Sequence, residues 1–219
     1  MGSVGYARPA KRVKVLFGRL PAGPTDSGRE HGRAHRTRGC PSQELIMHHP
    51  ITPEREKLER EMRAFRGTRR SVVLATADGE GLPDASYAPC LEDAQGNVYI
   101  FVSGLARHTQ NLLAAGRVSV LFIEDEGETA NVFARRRLTL DCTATPIPRD
   151  HPDWSGVLDG LAERLGKLVE TLRGLADFQL FRLTARSATY VRGFGQTFRF
   201  EGEGLKQVSM VRPERQPPG

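Results

Sequence analysis

Apolar and polar side chains alternate along much of the chain after residue 70, and this period of two predicts β-strands. The clearest case is the run 131–146, in which Leu138, Leu140, Cys142 and Ala144 alternate with polar residues. Further strands are predicted at 71–76, 83–91, 98–103, 118–124, 178–191, 198–200 and 205–208. Glycine-bearing turns at 78–81 and 93–96 join the first three strands into two hairpins.

Three segments follow the helical period instead. Thr52, Pro53 and Glu54 form a helix start, and Gly67 is the predicted end of that helix. A short helix is predicted at 105–115 and a longer amphipathic helix at 156–173. Mostly antiparallel hairpins with a few inserted helices indicate an α+β fold built on a closed or half-closed barrel.

Charge divides the chain into two parts. Residues 1–46 hold nine Lys/Arg and three Asp/Glu, whereas residues 47–219 hold 23 of each. We expect 1–46 to be a disordered basic tail or leader, 47–208 to be the barrel domain and 209–219 to be a loose tail. The basic run 10–14 is also compatible with a nuclear-import, nucleic-acid or targeting segment, but a leader or an overextended start before Met47 is favoured. Because positive and negative charges are equal in number in residues 47–219, we do not expect the folded part to bind nucleic acid.

Several classes of protein are excluded by what the sequence lacks. It has no apolar run of about 18 residues, so no membrane helix is predicted. Cys40, Cys90 and Cys142 are too scattered for a disulfide framework or a zinc site, which favours a reducing compartment, and we expect the cytoplasm. Neither a phosphate-binding loop nor a dinucleotide fingerprint precedes a predicted helix.

The segment 103–112 (SGLARHTQNL) concentrates polar side chains between a predicted strand and a predicted helix. Donors at a helix N-terminus, together with the guanidinium of Arg107, suit a phosphate or a carboxylate. The simpler alternatives are that Ser103 is a helix cap, that Gln110 satisfies backbone groups and that His108 forms a hydrogen bond at the helix start. We interpret the segment as the anionic end of a cofactor site.

Arg135, Arg136 and Arg137 open the long predicted strand. In a strand Arg135 and Arg137 would share one face, which could meet a phosphate or propionate group. A set of ion pairs with the acidic turn 124–128 is an equally good interpretation. Tyr87 could stack near a flat cofactor or be an ordinary core residue.

Five motifs in order carry a resemblance to a known superfamily. They are 71–76 (SVVLAT), 83–89 (PDASYAP), 103–112, 134–139 (ARRRLT) and 193–196 (GFGQ). They resemble the FMN-binding split-barrel superfamily typified by pyridoxamine 5'-phosphate oxidase, and more narrowly its HugZ-type haem-utilisation branch. The resemblance implies a six-stranded antiparallel split β-barrel with a few flanking helices. It also implies a homodimer with the cofactor in the groove between subunits.

The resemblance assigns roles to particular positions. Ser103, Arg107 and Gln110 match the positions that bind the FMN phosphate. The start of the first strand matches the part that runs along the flavin ring and ribityl chain; its residues are Arg70, Ser71, Val73 and Thr76. Arg135 and Arg137 match a strand that borders the groove.

In the haem branch the same groove is understood to hold haem, with a C-terminal histidine as iron ligand. No histidine follows His151, and His108 is the only histidine inside a matched motif. We therefore expect an FMN-binding, flavin-dependent oxidoreductase acting on a small substrate, with no metal ligand set. The alternative is a haem-binding or haem-degrading protein, in which His108 could ligate the iron, or a non-catalytic cofactor-binding dimer.

Overall fold

The computed structural model describes residues 53–211. The expectation for residues 1–46 lies outside the described residues, and so does the expectation for 209–219 beyond Val211. The first described element is helix α1 (Pro53–Gly67), whose bounds agree with the predicted helix start and end. No helix in this part of the chain is long and apolar enough to cross a membrane.

Six strands close into an antiparallel barrel, as the resemblance implied. Their bounds are β1 (Ser71–Ala77), β2 (Pro83–Glu92), β3 (Val98–Ser103), β4 (Arg117–Ile123), β5 (Arg137–Ile147) and β6 (Phe178–Gly193). The strand order is β3-β2-β1-β4-β5-β6, and the pairing of β3 with β6 completes the ring. Two further strands, β7 (Gln196–Glu201) and β8 (Gln207–Met210), extend the sheet beyond β6.

The barrel interior is filled by the inward positions of each strand. Val72 and Leu74 of β1, Val120 of β4, and Leu138 and Leu140 of β5 are all at most 1% exposed. Helix α2 (Arg107–Ala115) follows β3 and inserts Leu112 into the same core. Because alternate residues face opposite sides of a strand, the outer positions remain free to build a site.

A second hydrophobic cluster lies outside the barrel wall. Helices α3 (Asp153–Leu165) and α4 (Leu168–Arg173) contribute Trp154, Leu158, Leu161 and Val169 to it. The wall contributes Tyr99 of β3, Ile147 of β5 and Leu180 of β6. The two helices are thereby held against the outside of the barrel.

Two predicted elements differ from the observed ones. The strand predicted at 131–146 begins only at Arg137, because 132–134 forms a 3-10 turn in which the Asn131 side chain accepts a hydrogen bond from the Phe133 amide. The helix predicted at 156–173 is two helices, since the chain leaves the helical region at Gly166, where φ is 100°. That conformation favours glycine and ends α3 while the apolar period continues into α4.

Candidate functional site

An apolar groove of 320 Å³ lies between the barrel wall and helices α3 and α4. The barrel side consists of Arg70, Tyr87, Pro89 and Phe101. The helix side consists of five aliphatic residues, Leu161, Leu165, Leu168, Val169 and Leu172. Tyr87 and Pro89 line the groove because they occupy outward positions of β2, two residues apart.

Arg70 is the only charged side chain that the described part of the chain contributes to this lining. Its Nη2 donates a hydrogen bond to the Arg164 carbonyl oxygen of α3 at 2.9 Å, which leaves its other N–H groups available. An apolar cleft with a single guanidinium suits a flat, largely apolar ligand that carries a carboxylate or phosphate.

Several polar side chains of 103–112 form hydrogen bonds within the segment or with neighbouring elements. The Ser103 hydroxyl donates to the Asp177 carboxylate at 2.7 Å and accepts from the Leu105 amide at 3.2 Å. Gln110 donates to the Gly104 carbonyl at 2.6 Å. A Cβ on Gly104 would lie only 2.8 Å from the Asp177 carbonyl oxygen, so the close approach requires glycine. Most polar side chains of this strand-to-helix connection are therefore hydrogen-bonded within the protein.

Two residues of this segment, Arg107 and His108, have side-chain nitrogen atoms without a hydrogen-bond partner among the described residues. Arg107 is the exposed first residue of α2, and its side chain forms no hydrogen bond or ion pair with any other described residue. The Nε2 atom of His108 is buried without a partner. Burial lowers the pKa of His108, and the charge of Asp84 only partly opposes this, so the imidazole is neutral at neutral pH.

The predicted positions of β1 fall on two faces of the strand. Ser71 and Val73 are outward, and Val73 is paired with Tyr87 across β2. Thr76 is inward and buried, and its hydroxyl accepts a hydrogen bond from the Asn111 amide at 3.0 Å. The groove lining contains Arg70 but not Thr76, Ser103, Arg107 or Gln110.

The arginine cluster forms the ion pairs that were the alternative interpretation. Arg135 donates to the Glu124 carbonyl and lies 3.0 Å from the Glu126 carboxylate. Arg136 lies 2.8 Å from Glu124. Arg137 donates to the Arg135 carbonyl at 3.0 Å. The expected common face of Arg135 and Arg137 does not form, because β5 begins only at Arg137.

Glu124 makes this cluster sensitive to acid. Burial alone would raise the pKa of Glu124, but hydrogen bonds from the Arg136 guanidinium and amide and the charges of Arg136 and Arg69 together lower it. A folded-state pKa below the unfolded value of about 4.3 stabilises the fold above that pH, and the stabilisation is lost as the pH falls through the folded value.

We therefore expect Glu124→Gln to lower the free energy of unfolding by about 1 kcal/mol at pH 7 and to flatten its decrease towards acid. Urea denaturation at a series of pH values between neutral and acid measures both effects. The matched control is Glu203→Gln, an exposed carboxylate with no partner among the described residues. Equal acid dependence in wild type and Glu124→Gln would contradict this role of the cluster.

Two contributors to the site had no distinct signal in the sequence. Phe101 reads as an ordinary strand residue, and the stripe of leucines on 156–173 reads as one core-facing helix surface. In the structure that stripe is only partly covered, and Leu168 is 67% exposed. Incomplete burial of a helix face is a tertiary property, so periodicity could not reveal the groove. In the described part of the chain, no group of three or more His, Cys, Asp or Glu residues could hold a metal ion.

The closed six-stranded barrel and its flanking helices define an α+β split-barrel protein. The chain belongs to the pyridoxamine 5'-phosphate oxidase family, whose model matches residues 58–192. This match confirms the resemblance found in the sequence.

The chain is also similar to individual proteins that have a name or a solved structure. A Vibrio cholerae protein named heme oxygenase HutZ is 40% identical over 149 residues, which cover 68% of this chain and 84% of the relative. The crystal structure of HutZ, described as the heme storage protein from Vibrio cholerae, matches with a TM-score of 0.55 and 41% identity over 58% of this chain and 89% of that one. Campylobacter jejuni ChuZ matches with a TM-score of 0.66 and 27% identity over 74% of this chain and 67% of that chain.

Proposed function

We propose that this protein binds haem in the groove between the barrel and helices α3 and α4. The observation that carries the proposal is the apolar groove with Arg70 on its barrel side, in a chain 40% identical to HutZ. Haem is a flat apolar macrocycle with two propionates. The leucines of α3 and α4 suit the macrocycle, and the Arg70 guanidinium suits a propionate.

The dimensions of the groove support a shared site. Its 320 Å³ is at the lower end of the range of about 300–1,000 Å³ for ligand pockets. One chain would therefore cover only part of a haem, and we propose that a second copy covers the rest in a homodimer. Val73, which is 36% exposed on β1 beside the groove residue Tyr87 of β2, offers an apolar outer surface for that contact.

FMN is the second candidate, and the free Arg107 at the start of α2 favours it. A phosphate there would meet a guanidinium and backbone N–H groups. However, the Ser103 hydroxyl donates to Asp177 and the Gln110 amide donates to the Gly104 carbonyl. These bonds reduce the number of donors that a phosphate could use. The flavin oxidoreductase expectation thus has less support than the haem alternative.

The proposal is that haem binds, and it does not depend on whether the bound haem is degraded or stored. HutZ is described both as an oxygenase and as a storage protein. When bound, haem supplies iron for oxygen chemistry. The residues of this chain would contribute the apolar enclosure, which excludes water, and the Arg70 charge, which orients the propionates. A cytoplasmic location and a small-molecule substrate stay predictions.

The test is a titration of the purified full chain with ferric haem and, separately, with FMN. We expect a saturable Soret band with haem. Arg70→Ala should weaken haem binding about tenfold, because a hydrogen-bonded charge contributes about 1.5–3 kcal/mol. The matched control is Arg60→Ala, which removes an exposed arginine of α1 and should leave the affinity unchanged.

Arg107→Ala separates the two candidates. Under the haem proposal this variant binds haem like wild type, because Arg107 does not line the groove. Stoichiometric FMN binding that Arg107→Ala abolishes, together with no saturable haem signal, would overturn the haem proposal in favour of flavin.

A further inference from the structure

We infer that the Tyr87 side-chain oxygen would bind the iron when haem occupies the groove. The inference rests on the proposed haem-binding function and identifies which atom of this chain holds the iron. It begins from the donor chemistry of the groove. The side chains that ligate haem iron in proteins are those of His, Cys, Met and Tyr.

Among the described residues that line the groove, Tyr87 alone has such a donor atom. The others are aliphatic residues, a proline, a phenylalanine and Arg70, whose guanidinium has N–H donors and no acceptor atom for a metal. A macrocycle lying against the leucines of α3 and α4 would thus have one protein donor within the same cleft.

The described histidines are placed elsewhere. His151 Nδ1 accepts a hydrogen bond from the Asp153 amide at 3.1 Å, at the start of α3. His108 belongs to α2 and is influenced by Asp84, and it does not line the groove. Residues 152–219 contain no histidine.

The described sulfur donors are also unsuitable. Cys90 and Cys142 point into the barrel core, where burial raises the pKa of the first to about 11 and of the second to about 12. Both are therefore neutral thiols at neutral pH, whereas the thiolate is the metal ligand. Met62 is buried in the same core, and Met210 lies on β8 away from the groove.

Tyr87 differs from the other two described tyrosines. Tyr99 is buried and its hydroxyl donates to Asp93 at 3.0 Å, and Tyr190 is 1% exposed beside Phe65. Tyr87 is 62% exposed on the outer face of β2, and its hydroxyl has no hydrogen-bond partner among the described residues. It is the one phenol that can approach a ligand without breaking an existing contact.

The ligation step conserves atoms and charge. The phenol O–H bond breaks, its proton is released to solvent, and the oxygen pair forms the bond to ferric iron without a change of oxidation state. The Arg70 guanidinium lines the same cleft, and its charge offsets that of the phenolate.

The experiment compares wild type, Tyr87→Phe and Tyr87→His, each loaded with ferric haem as the full chain. We expect wild type to show the phenolate-to-iron charge-transfer band, an iron–phenolate stretch in resonance Raman spectra and a high-spin ferric electron paramagnetic resonance signal. Tyr87→Phe should lose the first two features and bind haem at least about tenfold more weakly. Tyr87→His should bind haem with a histidine-type spectrum instead.

Tyr99→Phe is the matched control, because it removes a phenol outside the groove and should keep the phenolate features. If wild type binds haem and Tyr87→Phe gives the same haem spectrum, the assignment of Tyr87 as the ligand is overturned. If His108→Ala loses the wild-type haem spectrum, His108 is the ligand instead. Absence of any saturable haem signal in wild type would instead overturn the proposed function, so the two failures are distinct.

Discussion

Replacement of Trp154 by alanine is expected to lower the free energy of unfolding by about 3–5 kcal/mol and to abolish haem binding. Trp154 is 7% exposed and holds the start of α3 against the barrel wall. Its ring meets Phe101 edge to face at a centroid distance of 5.9 Å, and the Arg149 guanidinium lies 5.1 Å from its centroid. Loss of this contact releases α3 and α4, which form one side of the groove.

Circular dichroism during urea denaturation measures the stability change, because Trp154 is the sole tryptophan and its removal leaves no tryptophan fluorescence. A Soret titration measures haem binding. The control Trp154→Phe keeps an aromatic ring and should retain most of the stability and the haem affinity. Wild-type haem affinity in a folded Trp154→Ala protein would show that the groove does not depend on this contact.

Replacement of Arg66 by methionine is expected to cost about 3 kcal/mol, the lower end of the range for breaking a buried ion pair. Arg66 is 5% exposed, and both Nε and Nη2 donate to the Glu92 carboxylate. Nη2 also donates to the Gly96 carbonyl at 3.0 Å. These bonds join α1 to β2 and to the following turn. The Glu92 side chain is 23% exposed, so water partly solvates its charge when Arg66 is removed.

The double variant Arg66→Met with Glu92→Leu tests the physical cause. Removal of both charges leaves no buried carboxylate without a partner, so the double variant should be more stable than Arg66→Met alone. Disruption of the exposed Arg60–Glu56 pair by Arg60→Ala should change the stability by less than about 1 kcal/mol. Thermal or urea unfolding measures all three. A cost below about 1 kcal/mol for Arg66→Met would contradict the importance of the pair.

Local pattern predicted the strands well where the chain alternates strictly. The bounds of β1 and β3 differ from the predicted ones by at most one residue. The predictions were wrong where a local hydrogen bond or a glycine interrupted a continuing pattern. Asn131 caps a 3-10 turn within an alternating run, and Gly166 separates α3 from α4 within one apolar stripe. Periodicity averages over a window and does not detect a single-residue interruption.

The candidate site was only partly predictable. Arg70 was predicted from the resemblance and lines the groove, and Tyr87 was named as a residue that could stack on a flat cofactor. Thr76 shares its strand with Ser71 and Val73 but faces the barrel interior, because it lies an odd number of residues from both and successive residues of a strand face opposite sides. The cofactor-binding roles assigned to the segment 103–112 and to Arg135 and Arg137 stay predictions. The structure gives partners to the side chains of Ser103, Gln110, Arg135 and Arg137, whereas the Arg107 side chain has none among the described residues.

The sequence by itself determined the family and the barrel strands, because alternation and the five ordered motifs are local properties of the chain. Tertiary structure alone decided where the apolar groove lies. The groove joins Arg70, Tyr87 and Phe101 to leucines more than 50 residues further along the chain. The packing of α3 and α4 against the barrel determines which of those apolar side chains are buried and which remain available. That balance depends on contacts between distant segments, which no periodicity along the chain encodes.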